Sequence, residues 1–253
     1  MSAGERLPTS RRRRPSHRCN THAGCGPMKL AGMAWSTLTA DVAVGGRKFR
    51  VVRPARPPQH APLYTGYRSH QMLVDKQSAV DLAAAWRLAA RSPRTVVWLP
   101  LRQTATTCGS LCYGQRLDLV LMHHSLALPV AGWKRARAQI RQTRPQTVVL
   151  PERPFPDLTQ ADHERSHWRE NLDHLRFALA ADTLFLIGSR AAFELQAGQL
   201  RGLVEDCPAH MAAKPGTHCC AEIELGAAPF ASSDKNRRNA WGEVHVEYCA
   251  DHR

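Results

Sequence analysis

His163, Glu164 and His167 stand in the spacing H-E-x-x-H, and that spacing suits a metal. On a helix, residues four apart share a face, so two imidazoles can bind one zinc while the glutamate polarises a metal-bound water. A second set of residues follows four apolar runs: Arg102; His123, His124 and Ser125; Glu152 and Arg153; Gly188, Ser189 and Arg190. In this set Arg102, Arg153 and Arg190 can grip a phosphate or carboxylate through paired N–H groups. Gly188-Ser189, at the change from an apolar run to a helical pattern, can offer backbone N–H groups to the same anion. His123 or His124 can act as general acid or base, oriented by Glu152. A third set lies near the C-terminus: Cys207, His210, His218, Cys219, Cys220, His245, Cys249 and His252. Four of these can hold a structural zinc, but their spacing matches no standard finger, so free thiols and exposed imidazoles are expected. His17, Cys19, His22 and Cys25 form a similar cluster, and Cys108 and Cys112 are too widely spaced for a C-x-x-C redox pair.

The first set resembles the motif of the zincin group of zinc metalloproteases, over five residues of the chain. That resemblance implies a zinc-dependent hydrolase with His163 and His167 as ligands and Glu164 as base. Glu170 stands where the extended zincin pattern has glycine, while Asp173 falls at the third-ligand spacing. Helical arithmetic places Trp168, Leu172, Leu175 and Leu179 on one apolar stripe. The same arithmetic puts His163, His167 and His174 about 140° away, toward solvent.

The elements that must position these residues follow from periodicity. Residues 75–91 have helical spacing, with Asp75 as N-cap and Ser92-Pro93 as stop. Runs 95–101, 117–123, 146–150 and 183–187 are continuously apolar, the pattern of strands buried on both faces. Helical patterns fill 131–144, 158–181 and 189–205, and three of the intervals, excepting 102–116, hold a helix long enough for a right-handed crossover. After residue 207 the pattern alternates, as in half-exposed antiparallel strands. The expected fold is therefore α/β: a mainly parallel, Rossmann-like three-layer sheet with a C-terminal antiparallel β extension. Residues 49–253 would form one domain, with 207–253 as the Cys/His-rich extension. Residues 1–48 would be an irregular basic tail, or in part sequence upstream of a later start at Met28 or Met33.

The net charge of +14 over 253 residues is uneven. Residues 1–27 carry +5, including the run Arg11–Arg14, and the remainder carries +9. Only six of the basic residues are lysine, so part of the arginine excess reflects a GC-rich coding bias rather than a polyanion partner. Lys134, Arg135, Arg137, Arg141 and Arg144 make one basic helical face, expected to be solvated. No helix-turn-helix, zinc-finger or RNA-recognition signature is present, which disfavours nucleic acid as partner. No run approaches the apolar length of a membrane span, and no signal peptide is evident, so a cytoplasmic location is expected. Neither a glycine-rich dinucleotide fingerprint nor a Walker A loop occurs. The leading expectation is binding, with or without a chemical step, of a small anionic ligand that is nucleotide-like, phosphorylated or a carboxylate. Its site would be the carboxyl ends of the parallel strands. The alternatives are the zinc hydrolase and a non-enzymatic nucleic-acid or partner-binding protein.

Overall fold

The computed structural model describes residues 29–66, 69–105, 114–167, 173–227 and 241–250. The first strands, β1 (Ala34–Val44) and β2 (Arg47–Pro54), form a hairpin. Its two-residue turn is Gly45-Gly46, with φ of 56° and 77°. Both values lie in the left-handed region that a type I′ hairpin turn requires and glycine adopts freely. The sheet therefore begins at residue 34, inside the stretch expected to be irregular. The alternation of β1 was masked by its Ser and Thr residues, and Thr37 and Thr39 are buried there. Residues 1–28 lie outside the described residues.

Two short strands follow, β3 (Leu63–Tyr64) and β4 (Ser69–Val74), and then helix α1 (Lys76–Arg91). Asp75 caps α1 as expected, accepting a 2.7 Å hydrogen bond from the Ser78 amide. Next come β5 (Thr95–Leu99), β6 (Arg116–His123), α2 (Trp133–Ala138) and β7 (Arg144–Val149). Helix α3 (Gln160–His167), the hairpin strands β8 (Arg176–Ala180) and β9 (Thr183–Gly188), and helices α4 (Arg190–Leu195), α5 (Ala197–Glu205) and α6 (Cys207–Ala213) lead to the last hairpin. That hairpin is β10 (Cys220–Ala227) and β11 (Trp241–Tyr248).

All eleven strands join one open, mixed sheet in the order β10-β11-β4-β3-β6-β5-β2-β1-β7, with β9 on β6 and β8 on β9. Three pairings run parallel: β2 with β5, β6 with β9, and β11 with β4. The other seven are antiparallel, so the protein is α/β but its sheet is mixed rather than mainly parallel. The continuous apolar runs have a different cause. The central strands are buried on both faces whatever their direction. Leu117, Leu119 and Leu121 of β6 enter one core with α1, α4 and α5. Val120 and Met122 of the same strand enter a second core, with Trp133 and Ala136 of α2.

Three elements depart from the periodicity. The expected helix over 158–181 is the short α3 followed by β8, an edge strand whose Leu179 stays half exposed. Its leucine spacing fitted a helical stripe, yet Phe177 and Leu175 are buried through the sheet. The run at 146–150 is the sheet's outer strand, antiparallel to β1, with Val149 65% exposed. The expected extension after 207 is continuous with the main sheet, because β11 pairs with β4.

Candidate functional site

The strand directions decide which expected site residues meet. Since β5 runs antiparallel to β6, their carboxyl ends lie at opposite ends of the sheet. Arg102, beyond β5, is therefore separated from His123, beyond β6. Glu152 and Arg153 follow β7, whose carboxyl end pairs with the start of β1. Glu152 reaches Gly32 there, 3.3 Å from where a glycine Cβ would stand, and both residues are exposed. Glu152 thus does not orient His123.

The parallel pair β6–β9 does bring His123 beside Gly188. His123 Nδ1 lies 2.8 Å from Ser125 Oγ, and its ring is 4.5 Å from that of His124. Burial, then the neighbouring His124, lowers the His123 pKa, while Asp173 opposes the shift. Ser189 donates 2.7 Å to Asp173 and accepts from the Ala192 amide, so it caps α4. Gly188 is small because it packs: an added Cβ would come within 2.7 Å of Leu175. Arg190 is engaged with Glu194 at 2.9 Å, which also takes Arg91 at 3.0 Å. This end of the sheet gathers six of the expected residues, but as a closed set of caps and ion pairs.

The opposite end holds a cavity of about 720 Å³, within the size range of small-molecule sites. Its walls include Trp98 of β5, Arg102, Asp118 of β6, Arg137 of α2, His60, and Pro57, Pro58 and Pro100. Asp118 is almost wholly buried, and a buried carboxylate needs ionic partners. Arg137 supplies one at 3.1 Å and bonds the Ala181 carbonyl with the same nitrogen. Arg102 supplies the other: its Nε is 3.2 Å from Asp118, poorly aligned for a hydrogen bond, and its amide donates to the second oxygen at 3.1 Å. Arg102 also pairs with Asp182 at 3.0 Å, and Gln115 bonds that aspartate at 2.6 Å. Arg116 braces the loop, donating to the carbonyls of Arg102 and Thr104. Two arginines, Arg102 and Arg137, thus face two aspartates, Asp118 and Asp182. Among the described residues, the buried Trp98 indole N–H has no acceptor.

Sequence reasoning found Arg102 and missed Asp118 and Arg137. Asp118 was legible as a lone carboxylate inside the apolar run 117–123. Arg137 had been placed on a solvated basic face, but it turns inward to that carboxylate. Arg144, of the same expected face, pairs with Asp41 at 2.7 Å.

Of the H-E-x-x-H set, Glu164 is exposed and accepts from Gln160 at 3.1 Å. The side chains of His163 and His167 lie outside the described residues, as do residues 168–172 and the pair Cys108 and Cys112. Among the C-terminal cysteines, Cys207 and Cys219 form a disulfide, which corrects the expectation of free thiols for that pair. Burial, then the carboxylates of Glu222 and Glu247, raises the Cys220 thiol pKa. His252 lies outside the described residues. No helix among the described residues is long and apolar enough to cross a membrane.

Fold and cavity define an α/β protein with an open mixed sheet and an arginine-lined pocket at one sheet end. Comparison with known proteins found no match among family models, curated proteins or solved structures.

Proposed function

We propose that the protein binds a small anionic ligand with a flat ring, of the nucleotide type, in the cavity between Trp98, Arg102 and Arg137. One observation carries this reading: two guanidiniums converge beside an indole and three prolines on the wall of a roomy cavity. Apolar, ring-bearing walls favour a planar group. The guanidiniums suit a phosphate or carboxylate, which would exchange with Asp182 for the outer edge of Arg102. The anion class is the one expected from the sequence, moved from the β6–β9 end to the β5 end.

The test is thermal unfolding with nucleoside monophosphates and diphosphates, sugar phosphates and free phosphate. A nucleoside phosphate at a hundred times its Kd stabilises by about 2.7 kcal/mol, a clear rise in Tm. Arg102→Ala and Trp98→Leu should each reduce the rise, and Arg190→Ala should leave it intact. If no anion raises Tm, or if Arg102→Ala responds like the parent, the reading is wrong.

A further inference from the structure

The final hairpin carries a donor set that the cavity does not use. We propose that His218, Cys220 and His245 form a binding site for a thiophilic divalent cation, with zinc the best fit. One ligand atom from each lies within 4.8 Å of the others.

The sheet places them together. Cys220 pairs with Glu247 and Glu222 with His245 across the antiparallel β10–β11 ladder. Alternation buries Ala221, Ile223, Val244 and Val246 in the core, so Cys220, Glu222, His245 and Glu247 share the opposite face. His218 precedes β10 by two residues, and its ring stacks on that of His245, with centroids 5.2 Å apart and planes at 15°. The Cys207–Cys219 disulfide ties the chain between them to α6.

Donor chemistry selects the metal. Two imidazoles and one thiolate are borderline-soft ligands, suited to zinc and poorly suited to calcium or magnesium. The carboxylates complete the arrangement. Glu222 Oε1 lies 2.6 Å from His245 Nδ1, and Glu247 Oε1 lies 3.7 Å from His218 Nδ1. Each imidazole thus has its Nδ1 facing a carboxylate, and the proposal assigns Nε2 of each to the metal. Carboxylate–histidine–metal chains of this kind fix the tautomer and raise ligand basicity. Two glutamates beside the set also make it attractive to a cation. In a tetrahedral zinc site the ligand atoms would lie about 3.3–3.6 Å apart, from zinc–nitrogen and zinc–sulfur bonds of about 2.0–2.3 Å. Closing the site from the present spacing needs about an ångström of side-chain rotation at half-exposed residues. Three protein ligands leave the fourth position to water or to Glu222. Cys220 and Glu222 also line a groove of about 610 Å³ beside α5, so the metal would sit at its rim.

The experiment uses the full chain, its disulfide kept oxidised, stripped with chelator and titrated with cobalt(II) alone and then zinc. One equivalent of cobalt should bind with a thiolate-to-cobalt charge-transfer band, and zinc should displace it. Cys220→Ser should abolish the band. His245→Ala should weaken binding at least tenfold, and Glu222→Gln should weaken it about 10- to 100-fold. The parent protein supplies a check that needs no variant: zinc should slow alkylation of Cys220, read by peptide mass spectrometry. His163→Ala/His167→Ala should retain the full equivalent. The proposal fails if no cobalt–thiolate band forms, if the band survives Cys220→Ser, or if the His163/His167 variant is the one that loses the metal.

Discussion

At the scale of single residues, the acidic side chains inside the core are the informative ones. Asp118 is stabilised by two arginines, whereas the hydrogen-bond donors to Asp81 on α1 among the described residues, Trp35 and Gln77, are neutral. Trp35 Nε1 donates to Asp81 at 3.0 Å, but burial dominates and pushes its pKa up to about 6, from 3.8. The native state therefore binds this proton more tightly than the unfolded chain does. Between about pH 4 and pH 6 the native protein holds more protons, so stability falls as pH rises through that window. The loss amounts to about 3 kcal/mol, complete above the folded-state pKa. Asp81→Asn keeps an oxygen for Trp35 and removes the charge. Urea unfolding of both proteins from pH 4 to pH 7 should show the variant gaining on the parent as pH rises. Parallel profiles would mean that Asp81 does not titrate in this window.

At the scale of elements, the sequence was legible where periodicity reports burial and illegible where it was asked for direction. The apolar runs of β5, β6 and β9 did mark strands covered on both faces. Nothing in Thr-Val-Val-Trp-Leu states whether its neighbour runs parallel, because side-chain burial is the same either way. That one ambiguity divided the expected site, since the β5–β6 pairing sends Arg102 to the end opposite His123. The residues around 175–180 were misread for a related reason: Leu172, Leu175 and Leu179 fit a helical stripe, while the turn that makes β8 a hairpin partner carries no glycine. That turn is Ala181-Asp182, with φ of 50° and 55°. Aspartate tolerates this region, but alanine pays about 1 kcal/mol there. Ala181→Gly should raise stability by about 1 kcal/mol and Tm by about 2–4 °C in scanning calorimetry. The Arg137 bond to the Ala181 carbonyl is retained in that variant, so an unchanged or lower Tm would contradict the strain.

At the scale of the whole molecule, the sheet is one surface shared by two cores, and one end of it depends on a strand from far along the chain. Strand β4 lies between β3 and β11, and Ser69 pairs in parallel with Glu243. Without the final hairpin, β4 would present an open edge of unpaired N–H and C=O groups, a template for other chains. Truncation before residue 218 should therefore yield protein that elutes as large oligomers in size-exclusion chromatography. A monodisperse truncated monomer would show that β4 does not need its neighbour.

The same pairing sets a timetable for the newborn chain. Roughly 170 residues separate the partners, which at ordinary synthesis rates of about 5–20 residues per second is a delay of about 10–30 s. Throughout that interval β4 has emerged while β11 has not been made. Slow, long-range closure of this kind exposes a growing chain to its neighbours on the same message. Strand β4 waits for a partner made late, and the yield of folded protein in a cell should follow the supply of chaperones that shelter one waiting strand.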